Sequence, residues 1–248
     1  MRTALLVAPD VDDAYVLLGP LAEQADSWNR ATAAHAADAA RQIARRLGPR
    51  APVAADVDDD ELEARQTRYL ALAQRADRWP DVRVAALEVV AALATVRARG
   101  EDLVEPGYDL TALLADPEPE LRRAAAELLP SPTTEAQRPA LVRALLDDPV
   151  PAVSLAAAQA LCGDLVGLGA GDPEAVLGAI GPLGLERLRG FVSAEDAGDD
   201  PDLPVAALLD AARCLAAAGG KDDRAAIRAL GRHGPRAVRD ILAGWELD

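Results

Sequence analysis

The segment Asp116-Pro117-Glu118-Pro119-Glu120-Leu121-Arg122-Arg123-Ala124-Ala125-Ala126-Glu127-Leu128-Leu129 decides the fold. Its apolar residues Leu121, Ala124, Ala125, Leu128 and Leu129 recur at i, i+3, i+4, i+7 and i+8, which is one face of an α-helix. Asp116 and the prolines mark where the helix begins. An Asp carboxylate accepts hydrogen bonds from the backbone N–H groups left open there, and Pro suits a first helical turn because it has no N–H to leave unpaired. The same arrangement returns along the chain. Asp148-Pro149 leads into Val153–Leu161, and Asp77 leads into Val82–Val90. Ala25-Asp26-Ser27-Trp28 matches Ala76-Asp77-Arg78-Trp79, and Asp200-Pro201 opens a fifth copy. Five positions after each Asp stands an apolar residue: Ala31, Val82, Leu121, Val153 and Val205.

A second helical pattern precedes four of these motifs, over Ala14–Leu21, Leu62–Ala76, Leu110–Leu114 and Ala140–Leu146. The repeating unit is therefore helix, short turn, helix. The Asp spacings are 51, 39, 32 and 52 residues, which bracket the ~40–47 residues of one class of helical repeat. Residues 116–129 resemble the second helix of a bacterial HEAT repeat almost position for position. Residues 148–161 are similar, with Ser154 where that family usually has Arg, and Val82-Arg83 keeps the family's Val-Arg pair. The first and fifth units depart more; in the fifth, Arg213 falls on an apolar position. A final degenerate pair, Asp223–Arg232 and Pro235–Trp245, extends the resemblance over nearly the whole chain. It implies an all-α superhelical solenoid of about five to six antiparallel helix pairs. No shift in composition divides the chain, so one domain over residues 1–248 is expected. Three stretches interrupt the array: a long loop at Gly48–Asp60, a glycine-rich and least ordered-looking stretch at Gly163–Gly184, and an acidic loop at Glu195–Asp202.

Composition agrees. Hydrophobic residues make up 50% of the 248, but aromatic residues only 3%, so the core is built from Ala, Leu and Val. Small side chains suit closely packed helices and not a β-sandwich. The formal net charge of −15 repels phosphates, which argues against a nucleic-acid partner and fits a basic protein surface or plain solubility. Two cysteines, Cys162 and Cys214, are too few for a disulfide scaffold or a structural zinc site. They stand at equivalent places in neighbouring units, each fourteen residues after its Asp. Adjacent helices lie about 8–10 Å apart and a disulfide needs Cα atoms within about 7 Å, so two buried thiols are expected. No apolar run approaches the ~20 residues that cross a bilayer. Residues 1–8 begin like an export signal, but Pro9-Asp10 cuts the apolar stretch short of the usual ~7–15 residues. A cytoplasmic protein is expected, with a truncated export signal as the alternative.

Several fragments imitate catalytic or ligand motifs. Trp79-Pro80-Asp81 is similar to the acid loop of tyrosine phosphatases, but neither cysteine is followed by Arg at the spacing their phosphate cradle needs. Gly219-Gly220-Lys221 lacks the earlier Gly of a phosphate loop and the Ser or Thr that would follow its Lys; it reads as a helix stop. Asp56-Val57-Asp58-Asp59-Asp60 has three carboxylates at the spacing that opens an EF-hand loop, but Glu61 replaces the Gly and Thr67 the final Glu. It reads as an acidic helix start that complements the helix dipole. His35 is expected at the edge of the core, and His233 at a helix end. Deoxyhypusine hydroxylases share the HEAT fold and hold iron through His-Glu pairs, of which this chain has none. HEAT-like DNA glycosylases use a basic, aromatic concave face that an acidic chain does not offer.

No cofactor, metal or catalytic residue is expected. Because no catalytic motif is complete, and because solenoids commonly bind proteins along an extended face, a non-catalytic scaffold or adaptor for a protein or peptide is expected. The alternative is an enzyme on a HEAT scaffold, such as a tetrapyrrole-attaching lyase. Two surfaces are candidates for an interface. Trp28 and Trp79 sit at matching turns, where each is expected either to cap its own inter-repeat core or, since aligned turns of stacked repeats form one ridge and exposed Trp is enriched at interface hot spots, to present an interface. Arg224, Arg228 and Arg232, at i, i+4 spacing with Arg236 and Arg239 beyond, make one basic helical face on an acidic protein, either a solvated stripe or a contact for an acidic partner or for a second copy's acidic loop.

Overall fold

A computed structural model of the chain describes residues 17–46, 59–97, 109–129, 133–163, 165, 173–193 and 205–245. Every regular element among them is helical. Residues 1–10, the loop 48–58, Asp200 and the acidic stretch 195–202 lie outside the described residues. The chain packs as two compact units, Met1–Leu113 and Leu114–Asp248. The first holds α1 (Leu18–Ala25), α2 (Arg30–Arg46), α3 (Asp59–Gln74) and α4 (Pro80–Arg97). The second holds α5 (Pro119–Glu127), α6 (Arg138–Asp147), α7 (Pro151–Gly163), α8 (Pro173–Ser193), α9 (Val205–Ala218), α10 (Lys221–His233) and α11 (Arg236–Leu242). A 3-10 helix, Thr111–Ala115, lies where one unit ends and the other begins.

Each unit is an all-α stack of solenoid type, because its helices pack alternately in two layers. In the first unit α1 packs on α3 and α2 on α4, while α1 also meets α2 and α3 meets α4. In the second unit α6, α8 and α10 pack in series, and so do α5, α7, α9 and α11; from α6 onward, neighbours in sequence join the two rows. The middle of the second row explains the composition. α7 carries no charged residue, and Val153 to Ala158, Leu161 and Cys162 are all buried. A helix enclosed by neighbours on several sides must be apolar nearly all round, and here it touches α5, α6, α8 and α9.

The strong repeats behave as their spacing predicts. Val82, Leu121 and Val153 are completely buried. The two looser repeats do not. Ala31 is exposed and Val205 half-exposed; α2 buries Ala33, Ala36, Ala37, Ala40, Ile43 and Ala44 instead. In α9 the buried set is Ala207, Leu208, Leu209, Ala211, Ala212, Cys214 and Leu215, which leaves Arg213 outward and paired with Asp210 at 2.7 Å. The expected helix over Leu110–Leu114 is only the 3-10 turn. It has room for little more between the Asp109 side chain, which accepts from the Thr111 N–H at 2.9 Å, and Asp116-Pro117.

The glycine-rich stretch holds a difference of another kind. Residues 173–184, expected among the least ordered, belong to α8. Two helical segments meet at Gly181 (φ 63°, ψ 179°), and Pro182 restarts the helix. The buried stripe Val176, Ile180, Gly184, Leu188, Val192 runs through the break. Burial of that stripe outweighs the helix cost of glycine, which is about 1 kcal/mol per residue. Gly219-Gly220 does stop a helix. Gly219 takes φ 69° and donates to the Leu215 carbonyl at 3.1 Å, closing α9 in the manner of a left-handed cap.

Candidate functional site

The Asp-anchored turns solve one problem in two ways. In the second unit the carboxylate holds its own turn: Asp116 accepts from the Glu118 N–H at 3.0 Å and Asp148 from the Val150 N–H at 2.9 Å. Each helix then begins at a proline, Pro119 or Pro151. In the first unit Asn29 takes over the capping role, its side chain accepting from the Thr32 N–H at 3.2 Å. Asp26 is thereby released for another task. Arg75 donates to its carboxylate at 2.6 Å and Arg78 Nε at 2.8 Å; Arg78 also reaches the Asp26 carbonyl at 3.0 Å. Two arginines from the α3–α4 turn thus clamp the α1–α2 turn. Asp77 accepts from Arg75 at 2.8 and 3.1 Å, and that guanidinium holds the Asp77 carboxyl below the ordinary carboxylate range.

This clamp carries Trp28. The Arg78 guanidinium, itself buried, lies 4.0 Å from the centre of the indole ring. Trp28 nevertheless remains 74% exposed. An aromatic ring over a guanidinium gains about 0.5–1 kcal/mol at an exposed site, so the indole is braced and still open on its outer face. Trp79 has a different setting. It is half-buried and stands at the first turn of α4, its carbonyl accepting from the Arg83 N–H at 3.1 Å. The structure therefore brings the two expected turns together but presents one tryptophan far more than the other. Trp79-Pro80-Asp81 is the start of a helix, as its repeat position requires. Nothing in residues 26–28 announced Arg75 and Arg78 as partners. The available signal was the comparison of Gln24-Ala25-Asp26-Ser27 with Arg75-Ala76-Asp77-Arg78, where two arginines flank the second Asp only.

The residue six places after each Asp ties the second helix of a pair to what precedes it. Arg83, only 2% exposed, donates to the Ala73 carbonyl at 2.8 Å. Arg122 donates to the Asp116 and Pro117 carbonyls at 2.8 and 3.1 Å, and forms a two-point pair with Asp148 at 2.7 and 3.0 Å. Ser154 does with a hydroxyl what those arginines do with a guanidinium, donating toward the Ala144 carbonyl at 3.3 Å. Burial works against the Asp148 charge, but the Arg122 guanidinium and the Val150 N–H outweigh it and hold that carboxyl below its ordinary range.

The arginine face occupies α10. Arg228 and Arg232 are exposed and Arg224 half-exposed, with Arg224 donating to the Gly219 carbonyl at 2.7 Å. The helix beneath is pinned at its start by Asp223. This buried carboxylate accepts from the Gly220 N–H at 2.9 Å and from Arg189 of α8 at 2.6 Å. His233 ends α10, as expected, but His35 is exposed and not at the core edge, its ring meeting the Ala31 carbonyl at 2.6 Å. Asp59, Asp60 and Glu61 open α3 as an acidic first turn. Cys162 and Cys214 are buried thiols on the packed helices α7 and α9. Among the described residues no three His, Cys, Asp or Glu side chains gather where a metal could sit, and no helix is long and apolar enough to cross a membrane. No model of a known protein family matches the chain, and no characterised protein is significantly similar to it in sequence.

Proposed function

We propose that the chain is a non-catalytic scaffold or adaptor of HEAT type, which binds a protein or peptide through the braced turns of its first unit. The observation that carries this reading is Trp28: a large apolar ring, 74% exposed, fixed at 4.0 Å over a buried guanidinium. An aromatic side chain already ordered in the free protein loses little entropy on binding, and buried Trp is the residue type most enriched among interface hot spots. Arg75, Asp77 and the rim of Asp26 supply polar groups around it. Trp79, half-buried in the neighbouring turn, contributes less. The acidic composition favours a partner surface with basic character over a nucleic acid. The same reading places the protein in the cytoplasm, which N-terminal sequencing of the native protein checks.

The test is affinity purification from the source cells with wild-type and Trp28→Ala chains as bait. Truncating one hot-spot Trp costs about 2–4 kcal/mol of binding, so the variant should lose the partner while melting within about 4 °C of wild type, the small cost of the lost ring–guanidinium contact. Recovery of the same partner by both baits would contradict the reading.

A further inference from the structure

Many of the described arginines are engaged by carboxylates. Arg41, Arg45, Arg65, Arg68, Arg75, Arg78, Arg122, Arg123, Arg189 and Arg213 all pair with carboxylates. Arg30, Arg46, Arg143 and Arg187 pair with no carboxylate among the described residues but are scattered along the chain, whereas the end of the second unit gathers such arginines together. Arg228, Arg232 and Arg239 are exposed and have no carboxylate partner among the described residues, and Arg236 makes only a loose, fully solvated contact of 3.7 Å with Asp240. Between positions 221 and 239 stand six Lys or Arg against two Asp. One of those two, Asp223, is buried and already spent on Arg189 and the helix cap. A chain of net charge −15 therefore carries a local inversion of sign.

The inversion lies on one rigid face. At about 100° per residue, Arg224, Arg228 and Arg232 fall on one stripe along α10, roughly 12 Å long. Gly231 lies about 60–100° around the helix from Arg228 and Arg232. A side chain added there would come within 3.9 Å of the Leu242 Cβ, so α11 runs along one border of the stripe. The opposite face of α10 buries Asp223, Ala226, Ile227 and Leu230, which fixes the direction in which the arginines point.

We propose that this face of α10, continued by Arg236 and Arg239 on α11, docks a short acidic segment of a partner protein. Charge complementarity selects the occupant. The Debye length at physiological salt is about 8 Å, so a ligand senses little beyond the stripe it touches. A short acidic segment can concentrate its charge within that reach. A nucleic acid carries charge along its whole length, and a second copy of this chain has a net charge of −15; seated on the stripe, both would bring further negative charge within screening range of the acidic surface around it. The proposal is independent of the Trp28 reading, because it concerns other residues in the other unit.

The experiment is fluorescence anisotropy of a fluorescein-labelled peptide of repeating Glu-Glu-Leu-Asp units with the full chain at low salt. Wild type should bind, and affinity should fall as salt is added. The double variant Arg228→Gln, Arg232→Gln should bind about five- to tenfold more weakly, the loss of two exposed ion pairs. Arg143→Gln, which removes an exposed arginine of α6 that has no carboxylate partner among the described residues, should bind like wild type. Any one of four results would overturn the proposal: no binding at low salt, equal affinity of the double variant, equal weakening by Arg143→Gln, or tighter binding of a single-stranded oligonucleotide of the same charge than of the peptide.

Discussion

Asp148 shows how much a single repeat position carries. Its carboxylate holds its own turn through the Val150 N–H and at the same time receives both donors of Arg122. Asp148→Asn keeps the first contact and breaks the second, leaving the guanidinium half-satisfied in a largely buried place. We expect a loss of about 2–3 kcal/mol in urea unfolding at neutral pH, below the ~3–5 kcal/mol of a fully orphaned pair because Arg122 keeps its two carbonyls. The sign with pH follows from the lowered carboxyl. Its stabilising contribution is complete above the unfolded carboxyl value of about 4 and is lost as pH falls through the lower folded value. The gap between wild type and Asp148→Asn should therefore close on acidification, which repeating the unfolding below pH ~4 checks. The Asp itself was legible, since it recurs at each repeat. Arg122 as its partner was not, because an ion pair between repeats leaves no mark on the local periodicity.

At the scale of the element, α8 tests whether its glycines are tolerated or required. Gly178 and Gly190 have open space where a side chain would stand, whereas a Cβ on Gly184 would lie 2.6 Å from the Ile180 Cγ2 and 3.5 Å from the Leu145 Cδ2. Gly178→Ala should raise stability by about 0.5–1 kcal/mol through helix propensity and a less flexible unfolded chain. Gly184→Ala should lower it by about 1–3 kcal/mol, the range for overpacking a fitted contact. Thermal melts of the two variants decide the matter, and the same sign for both would contradict the packing described. The glycines of this stretch hide its helix in the sequence. The apolar stripe from Val176 to Val192 continues across the Gly181-Pro182 break and includes Gly184, so helical periodicity alone does not reveal it. The strong helices were easier: α4, α5 and α7 each combine a proline start with an apolar face that no glycine interrupts.

For the whole molecule, the two-layer stacking within each unit follows from a repeated helix pair whose faces are Ala, Leu and Val. That much could be read from the recurrence of Asp, turn and apolar face. The looser outer repeats were harder, because Ala-rich α2 offers several equivalent faces and only packing against α1 and α4 selects one. The candidate surface was legible in part: Trp28 and Trp79 were named from their matching turns, but which of them stands open depended on Arg78. The central claim is that Trp28 meets a protein partner. The most direct measurement is photo-crosslinking in the source cells, with benzoylphenylalanine placed at position 28 or, as a control, at the exposed Arg46 position about 24 Å away at the far end of α2. The account predicts one discrete protein adduct from position 28, none from position 46, and loss of the adduct when wild-type chain, but not Trp28→Ala, is added in excess. An adduct from position 46 alone, or one from position 28 that Trp28→Ala displaces as well as wild type does, would contradict it.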